Sequence, residues 1–323
     1  MKEKYSIRRL VIGLAVATAV LSSSIVHAAW PEKPITLVAP FPAGGNADAL
    51  ARQVGAALAN SLGQPVIVEN RPGAGGMLGS QYVARARPDG HTFLLGSFAN
   101  ILNEFFYSNK LIDLRRDLAP VTQLVNIPNY VAVGSNSKYK SMKDLLDDIR
   151  TRPGQVTCGT SGAGTSSHLV CEMLSRQLGL KISMVPYRGG IPAIIDVIGG
   201  QTSFVAINEA LPYIKDKRVR GLAVTSPQKS PLAPDLPPLS DSVPGFAMVS
   251  WYGIFAPVGT PKEVVQKMGA AVATAVRSPA MRDALNVLGA TPVGNSPAEF
   301  SMFVSSELKN WEKIIKPMNI QLD

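Results

Sequence analysis

The sequence predicts an α/β protein of two domains, and three observations carry that reading. Short apolar runs suited to strands alternate with stretches of helical periodicity, the pattern of parallel sheets covered by helices on both faces. The alternation stops and restarts after Pro128. The chain has 323 residues, 46% of them apolar and 17% charged: enough for two cores of ordinary size, and too few charges for a disordered chain.

In chain order, the first segment reads as an export signal. Lys2, Lys4, Arg8 and Arg9 precede an apolar run from Leu10 to Leu21, too short to span a bilayer but suited to a signal peptide. Val26 and Ala28 are small residues at −3 and −1, so residues 1–28 are expected to be removed after Ala28. The formal charge then falls from +9 to +6. The remaining basic residues are scattered, and the densest cluster, Lys215 to Arg220, has no interleaved aromatics, which argues against nucleic acid.

A strand is expected over 35–39, a helix over 47–62, a strand over 66–68, a helix near 78–85 and a strand over 92–95. After Pro128 come extended segments at 130–133, 156–158 and 184–185, with helices at 141–150 and 166–178 between them; 194–198, 204–207 and 221–225 continue the pattern. Residues 226–245 hold six prolines and read as a long ordered surface loop. An extended segment at 251–256 and three helices follow. Their start signals are Thr260-Pro261-Lys262-Glu263, Ser278-Pro279 and Ser296-Pro297-Ala298-Glu299, with Thr260, Ser278 and Ser296 as the capping hydroxyls.

Three strands lead into small-residue loops: Pro40 to Asn46, Arg71 to Gly76, and Gly159 to His168. Such loops lie beyond the carboxyl ends of parallel strands, where ligands bind. Free N–H groups at a helix start favour anions, and Ser/Thr hydroxyls add donors. No loop carries a phosphate-binding Lys, and none has the strict dinucleotide glycine spacing. Together they suggest an anion site built from neutral donors.

Catalytic and metal signals are weak. Ser166, Ser167 and His168 are sequence neighbours, but adjacent residues at a helix start point in different directions, and no Gly-x-Ser-x-Gly elbow is present. No His/Asp/Glu grouping has metal-ligand spacing, so neither a metal nor a cofactor is expected. Asp48, in the first turn after the first loop, reads as a helix-dipole partner. Cys158 and Cys171 are either a disulfide, which export permits, or two small buried residues.

A family resemblance is carried by Trp30-Pro31-Glu32-Lys33-Pro34-Ile35, Pro40-Phe41-Pro42-Ala43-Gly44-Gly45, Glu69 to Gly76, and Pro88-Asp89-Gly90-His91-Thr92. It continues through Gly162 to Leu169, Val185-Pro186-Tyr187-Arg188-Gly189, Gly199-Gly200-Gln201, Leu222 to Ser226, and Phe255 to Pro261. In these motifs the chain resembles the solute receptors of tripartite tricarboxylate transporters, the Bug receptors. The resemblance implies a monomeric periplasmic receptor of the two-lobed, type II binding-protein fold, each lobe a mainly parallel sheet flanked by helices. Residues 29–128 and 251–323 would form one lobe and 129–250 the other, closing by a hinge around a small organic carboxylate.

Carried over by motif, the resemblance implies ligand contacts at Phe41, Ala43, Gly44 and Asn46, at Ser161, Thr165 and Ser166, and at Ser97 and Tyr187. The implied partners are the membrane subunits of a tripartite tricarboxylate-type transporter. A periplasmic sensor partner is the alternative, and an exported serine hydrolase using Ser166 or Ser167 with His168 or His91 is a third reading. Two departures from the family stand out. Where an acid often faces the ligand this chain has Ile207-Asn208, which disfavours ammonium-bearing ligands; and 98–102 is unusually apolar. Both point to an acid with an apolar body, aromatic or longer aliphatic.

Overall fold

The computed structural model describes residues 30–322, and the expected signal peptide with its cleavage point at Ala28 lies outside them. The first stretch contains β1 (Ile35–Ala39), α1 (Asn46–Leu62), β2 (Val66–Asn70), α2 (Met77–Ala84), β3 (Thr92–Ser97), α3 (Phe98–Phe106), the one-turn α4 (Leu114–Asp117) and β4 (Leu118–Pro128). The middle contains β5 (Tyr130–Gly134), α5 (Met142–Thr151), β6 (Thr157–Thr160), α6 (Ser166–Gln177), β7 (Ser183–Pro186), α7 (Gly190–Ile198), β8 (Phe204–Ile207), α8 (Ala210–Lys215) and β9 (Val219–Val224). The last stretch contains β10 (Val249–Pro257), α9 (Lys262–Arg277), α10 (Pro279–Leu288), β11 (Thr291–Pro292) and α11 (Pro297–Ile315).

These strands make two sheets, ordered β11-β4-β10-β3-β1-β2 and β7-β6-β8-β5-β9. The strand–helix alternation yields parallel pairs, β1 with β2 and β3, and β6 with β7 and β8. Antiparallel pairs join them where the chain passes between sheets: β10 with β3 and β4, and β5 with β8 and β9. Only Asn129 separates β4 from β5. Its N–H donates to Thr225 Oγ1 at 2.9 Å, and the Thr225 N–H donates to its carbonyl at 2.9 Å. The outgoing and returning crossings are thereby pinned side by side.

Period-two burial places the strands. Ile35, Leu37 and Ala39 of β1 join the apolar cluster under α1 and α9, whereas Val38 faces the opposite cluster. That second cluster is continuous across both sheets, taking in Leu94, Phe98 and Trp251 from one and Val131, Leu145 and Cys158 from the other. A third, smaller cluster lies under α7 and α8.

Residues 98–128 received no element from periodicity, yet they form α3, α4 and β4. Pro120 and Pro128 look like breakers. In the sheet, Pro120 pairs with Phe255 where the register shifts, so its missing N–H falls at a bulge. One capping expectation needs correction. The N-cap of α9 is Pro261, and the Thr260 hydroxyl donates instead to the Pro257 carbonyl at 2.8 Å. Ser278 and Ser296 do cap α10 and α11, the latter in a reciprocal pair with Glu299. The 226–245 loop is anchored by buried Leu239 and Val243. Cys158 and Cys171 form a disulfide, with Cα atoms 6.5 Å apart, that ties β6 to α6 across the third glycine loop.

Candidate ligand-binding site

A cavity of about 350 Å³ lies between the sheets, and four helix N-termini reach it. Helix α1 brings Gly45, Asn46 and Ala47; α3 brings Ser97 and Ala99; α6 brings Thr165, Ser166 and Ser167; α7 brings Gly189, Gly190 and Ile191. Each start presents N–H groups that the helix itself leaves without acceptors, together with the positive end of a dipole. The arrangement therefore favours negative charge without a metal. Among the described residues, no group of three or more His, Cys, Asp or Glu is placed to hold a metal ion.

Local chemistry fixes each start. Ser97 caps α3, its hydroxyl accepting from the Ala99 N–H at 3.2 Å while Asn100 Oδ1 accepts from the Ser97 N–H at 2.8 Å. Thr165 caps α6, and its hydroxyl donates to the Gly162 carbonyl at 2.7 Å. Ser167 Oγ accepts from the Ser161 N–H at 2.8 Å, which folds the third loop over the helix start. Gly189 precedes α7 at φ 112°, a conformation that other residues rarely adopt. Asp48 accepts from the Gly44 N–H and pairs with Arg52. Burial pushes its carboxyl up, but these partners and Asn70 outweigh that and hold it below the usual range.

Of the residues expected at the site, Phe41, Ala43, Gly44, Asn46, Ser97, Ser161, Thr165 and Ser166 all line the cavity. Tyr187 is not among the lining residues. Its hydroxyl donates to Asp196 Oδ2 at 2.6 Å, and burial together with that carboxylate pushes the phenol up to about 12. The second glycine loop is also absent from the lining. Asn103 Nδ2 donates to the Gly75 carbonyl, and a methyl group on Gly75 would stand 3.2 Å from the Ala163 carbonyl, so this loop packs against the tip of the third.

Sequence reasoning missed the α7 start, although Arg188-Gly189 stood in a quoted motif. It also missed Ser250 and Tyr252, and it read Asn208 only as the replacement of an acid and not as a site residue. Asn208 accepts from Asn46 Nδ2 at 3.3 Å, a hydrogen bond across the cleft. Two further omissions change the electrostatics: exposed Arg188 and half-buried Glu209 both line the cavity, so its donors are not all neutral. The expectation that the loop after β8 offers the ligand no acid is corrected by Glu209, two positions beyond Ile207. Burial raises its carboxyl from 4.5 to about 7, outweighing its own backbone N–H.

The serine and histidine groups do not assemble. Ser166 exchanges a 3.4 Å hydrogen bond with Asn129, and Ser167 meets Thr165 at 2.9 Å. His168 is buried, accepts at Nδ1 from the Gly164 N–H at 3.4 Å and lies near Glu172; burial pushes it down, partly offset by that carboxylate.

The tripartite tricarboxylate transporter family receptor profile matches residues 50–320. The structure of the periplasmic binding protein BugD is 30% identical, with a TM-score of 0.85 over 91% of this chain and 100% of its own. Rpa4515 of R. palustris, solved with adipate, is 33% identical, with a TM-score of 0.86 over 91% of this chain and 100% of its own. MatC from Rhodopseudomonas palustris, solved with bound malate, is 30% identical, with a TM-score of 0.81 over 88% of this chain and 100% of its own. The chain belongs to the tripartite tricarboxylate transporter receptor family and has the α/β fold of periplasmic binding proteins.

Proposed function

We propose that this protein captures a small organic dicarboxylate in the periplasm and delivers it to the membrane subunits of a tripartite tricarboxylate-type transporter. The observation that carries this reading is the convergence of four helix N-termini, from both sheets, on one cavity. Residues 29–128 and 251–323 act as one lobe and 129–250 as the other, hinged at the paired crossings of Asn129 and Thr225. The first loop, Ser97 and the third loop hold the carboxylates through N–H and hydroxyl donors, with Tyr187 one step back. The family membership and the adipate and malate seen in two relatives support the ligand class.

A cavity of about 350 Å³ lies at the lower end of small-molecule sites, and Phe41, Ala47, Ala99, Ile191 and Pro192 give it apolar wall. That suits an aliphatic diacid with an apolar body, in line with the apolar 98–102 stretch. Family membership supports a receptor role, in which Ser166, held by Asn129, and Ser167, held by Thr165, serve the binding loop. Closure follows from ligand contacts that both lobes make only when together.

Calorimetric titration with C4 to C8 dicarboxylates, benzoate and neutral solutes tests the reading. Saturable binding of a dicarboxylate supports it. Binding of a neutral solute with no response to any carboxylate would overturn it.

A further inference from the structure

We propose that Glu209 enters the complex as a neutral acid, so that capture of a carboxylate takes up one proton and the carboxyl donates its O–H to the ligand. This rests on the carboxylate reading of the site. The Glu209 carboxyl lies between the two lobes at a pair of helix starts: a methyl group on Gly45 would stand 3.7 Å from Oε1, and one on Gly190 would stand 2.7 Å from Cδ and Oε2. These are the same N-termini that offer donors to a ligand carboxylate. Two carboxylates in one small cavity repel, and the usual resolution is a single shared proton. A free aliphatic acid ionises at lower pH than this half-buried, desolvated carboxyl, so the proton resides on Glu209.

The surrounding groups leave Glu209 as the titrating one. From β10, Tyr252 faces it, and burial followed by the Glu209 charge pushes that phenol up. At the start of α7, exposed Arg188 also lines the cavity. From α1, Asp48 is held ionised, chiefly by Arg52. On α7, Asp196 is engaged by Tyr187, and on α6 burial pushes His168 below 6.5. No ion pair reaches Glu209 among the described residues. The step balances simply: ligand carboxylate, Glu209 carboxylate and one solvent proton give the hydrogen-bonded pair, with no bond broken in the ligand.

The test is calorimetry of the full mature protein with adipate, the other C4 to C8 dicarboxylates and 6-aminohexanoate, from pH 5.5 to 9. Two buffers of different ionisation enthalpy count the protons. The expected result is a Kd that is flat below pH 7 and rises about tenfold per pH unit above it, with close to one proton taken up at pH 8. In Glu209→Gln the slope disappears, whatever that variant's absolute affinity. If the variant fails to fold, the proton count of the wild type decides alone. Dicarboxylate binding with equal affinity at pH 5.5 and 9 overturns the inference and leaves the receptor reading intact. Tighter binding of 6-aminohexanoate than of any dicarboxylate at pH 8 also overturns it, because Glu209 would then be an ionised partner for an ammonium. No binding of any acid at pH 5.5 overturns both.

Discussion

Replacing Glu209 by glutamine changes how the ligand-free protein's stability depends on pH. Burial raises this carboxyl from 4.5 to about 7 in the folded chain, and among the described residues no ion pair offsets it. In the unfolded chain the same group ionises near its ordinary value. Between those two pH values the folded state holds a proton that the unfolded state has released, so stability falls as pH rises through the window. At about 1.4 kcal/mol per pH unit, the gap amounts to about 3 kcal/mol lost from the wild type once pH exceeds 7. Glutamine carries no such proton. Glu209→Gln is therefore expected to match the wild type in pH dependence below pH 4.5 and to gain on it by about 3 kcal/mol at pH 8. Urea unfolding of both proteins at half-unit pH steps reads this directly, provided their m-values agree. Apart from the Tyr252 phenol, whose titration lies above the pH range used, the other groups are common to both proteins, so the difference curve reads Glu209. A difference that stays constant across the range refutes the desolvated environment of this carboxyl.

Three further predictions concern the frame and the rim of the site. Reducing the Cys158–Cys171 bridge, whose cysteines are 13 residues apart, lowers stability by about 3 kcal/mol, read as a fall in urea midpoint; an unchanged midpoint contradicts a stabilising bridge. Ser97→Ala removes the hydroxyl that caps α3 while Asn100 still accepts from the Ser97 N–H, costing about 1 kcal/mol of stability. The same change lowers dicarboxylate affinity by about tenfold, since a hydrogen bond to a charged group is lost; an unaltered Kd removes Ser97 from the site. Arg188→Ala slows association and flattens its dependence on salt, as expected of a cation at the mouth, and stopped-flow rates that do not change remove it from the encounter.

The legible part of this protein was what depends on local pattern. Strands such as 35–39 and 204–207 were read to the residue because short apolar runs end sharply there, between Pro34 and Pro40 in one case and between polar Ser203 and Asn208 in the other. The capping hydroxyls of Ser278 and Ser296 were equally local. The strand over 118–128 was missed because Pro120 sits at a bulge, and a bulge is a property of the pairing with Phe255 and invisible in one strand alone. The site divides in the same way. The first and third loops announced themselves through glycine and hydroxyl density, and they do line the cavity.

The second loop carried the same composition but spends it on packing against Ala163, which only the approach of two distant segments reveals. Tyr187 stood in the right motif, yet an Asp196 nine residues on captures its hydroxyl. Glu209 and Tyr252 gave no local signal, being ordinary residues brought to the cavity by β8 and β10, whereas Asn208 stood at a position the family resemblance marked but was read only as the loss of an acid. The α7 start was signalled by Gly189-Gly190 after a strand, and a search for helix starts following strands would have found it.

The central claim is that N–H and hydroxyl groups at helix starts of both lobes grip the same carboxylic acid. A structure determined with adipate tests it most directly. The account predicts one carboxylate within about 2.7–3.2 Å of donors in the Gly44 to Asn46 loop and the other within reach of Ser161, Thr165 or Ser166. A diacid held wholly by one lobe, or lodged outside the cavity between the sheets, would contradict it.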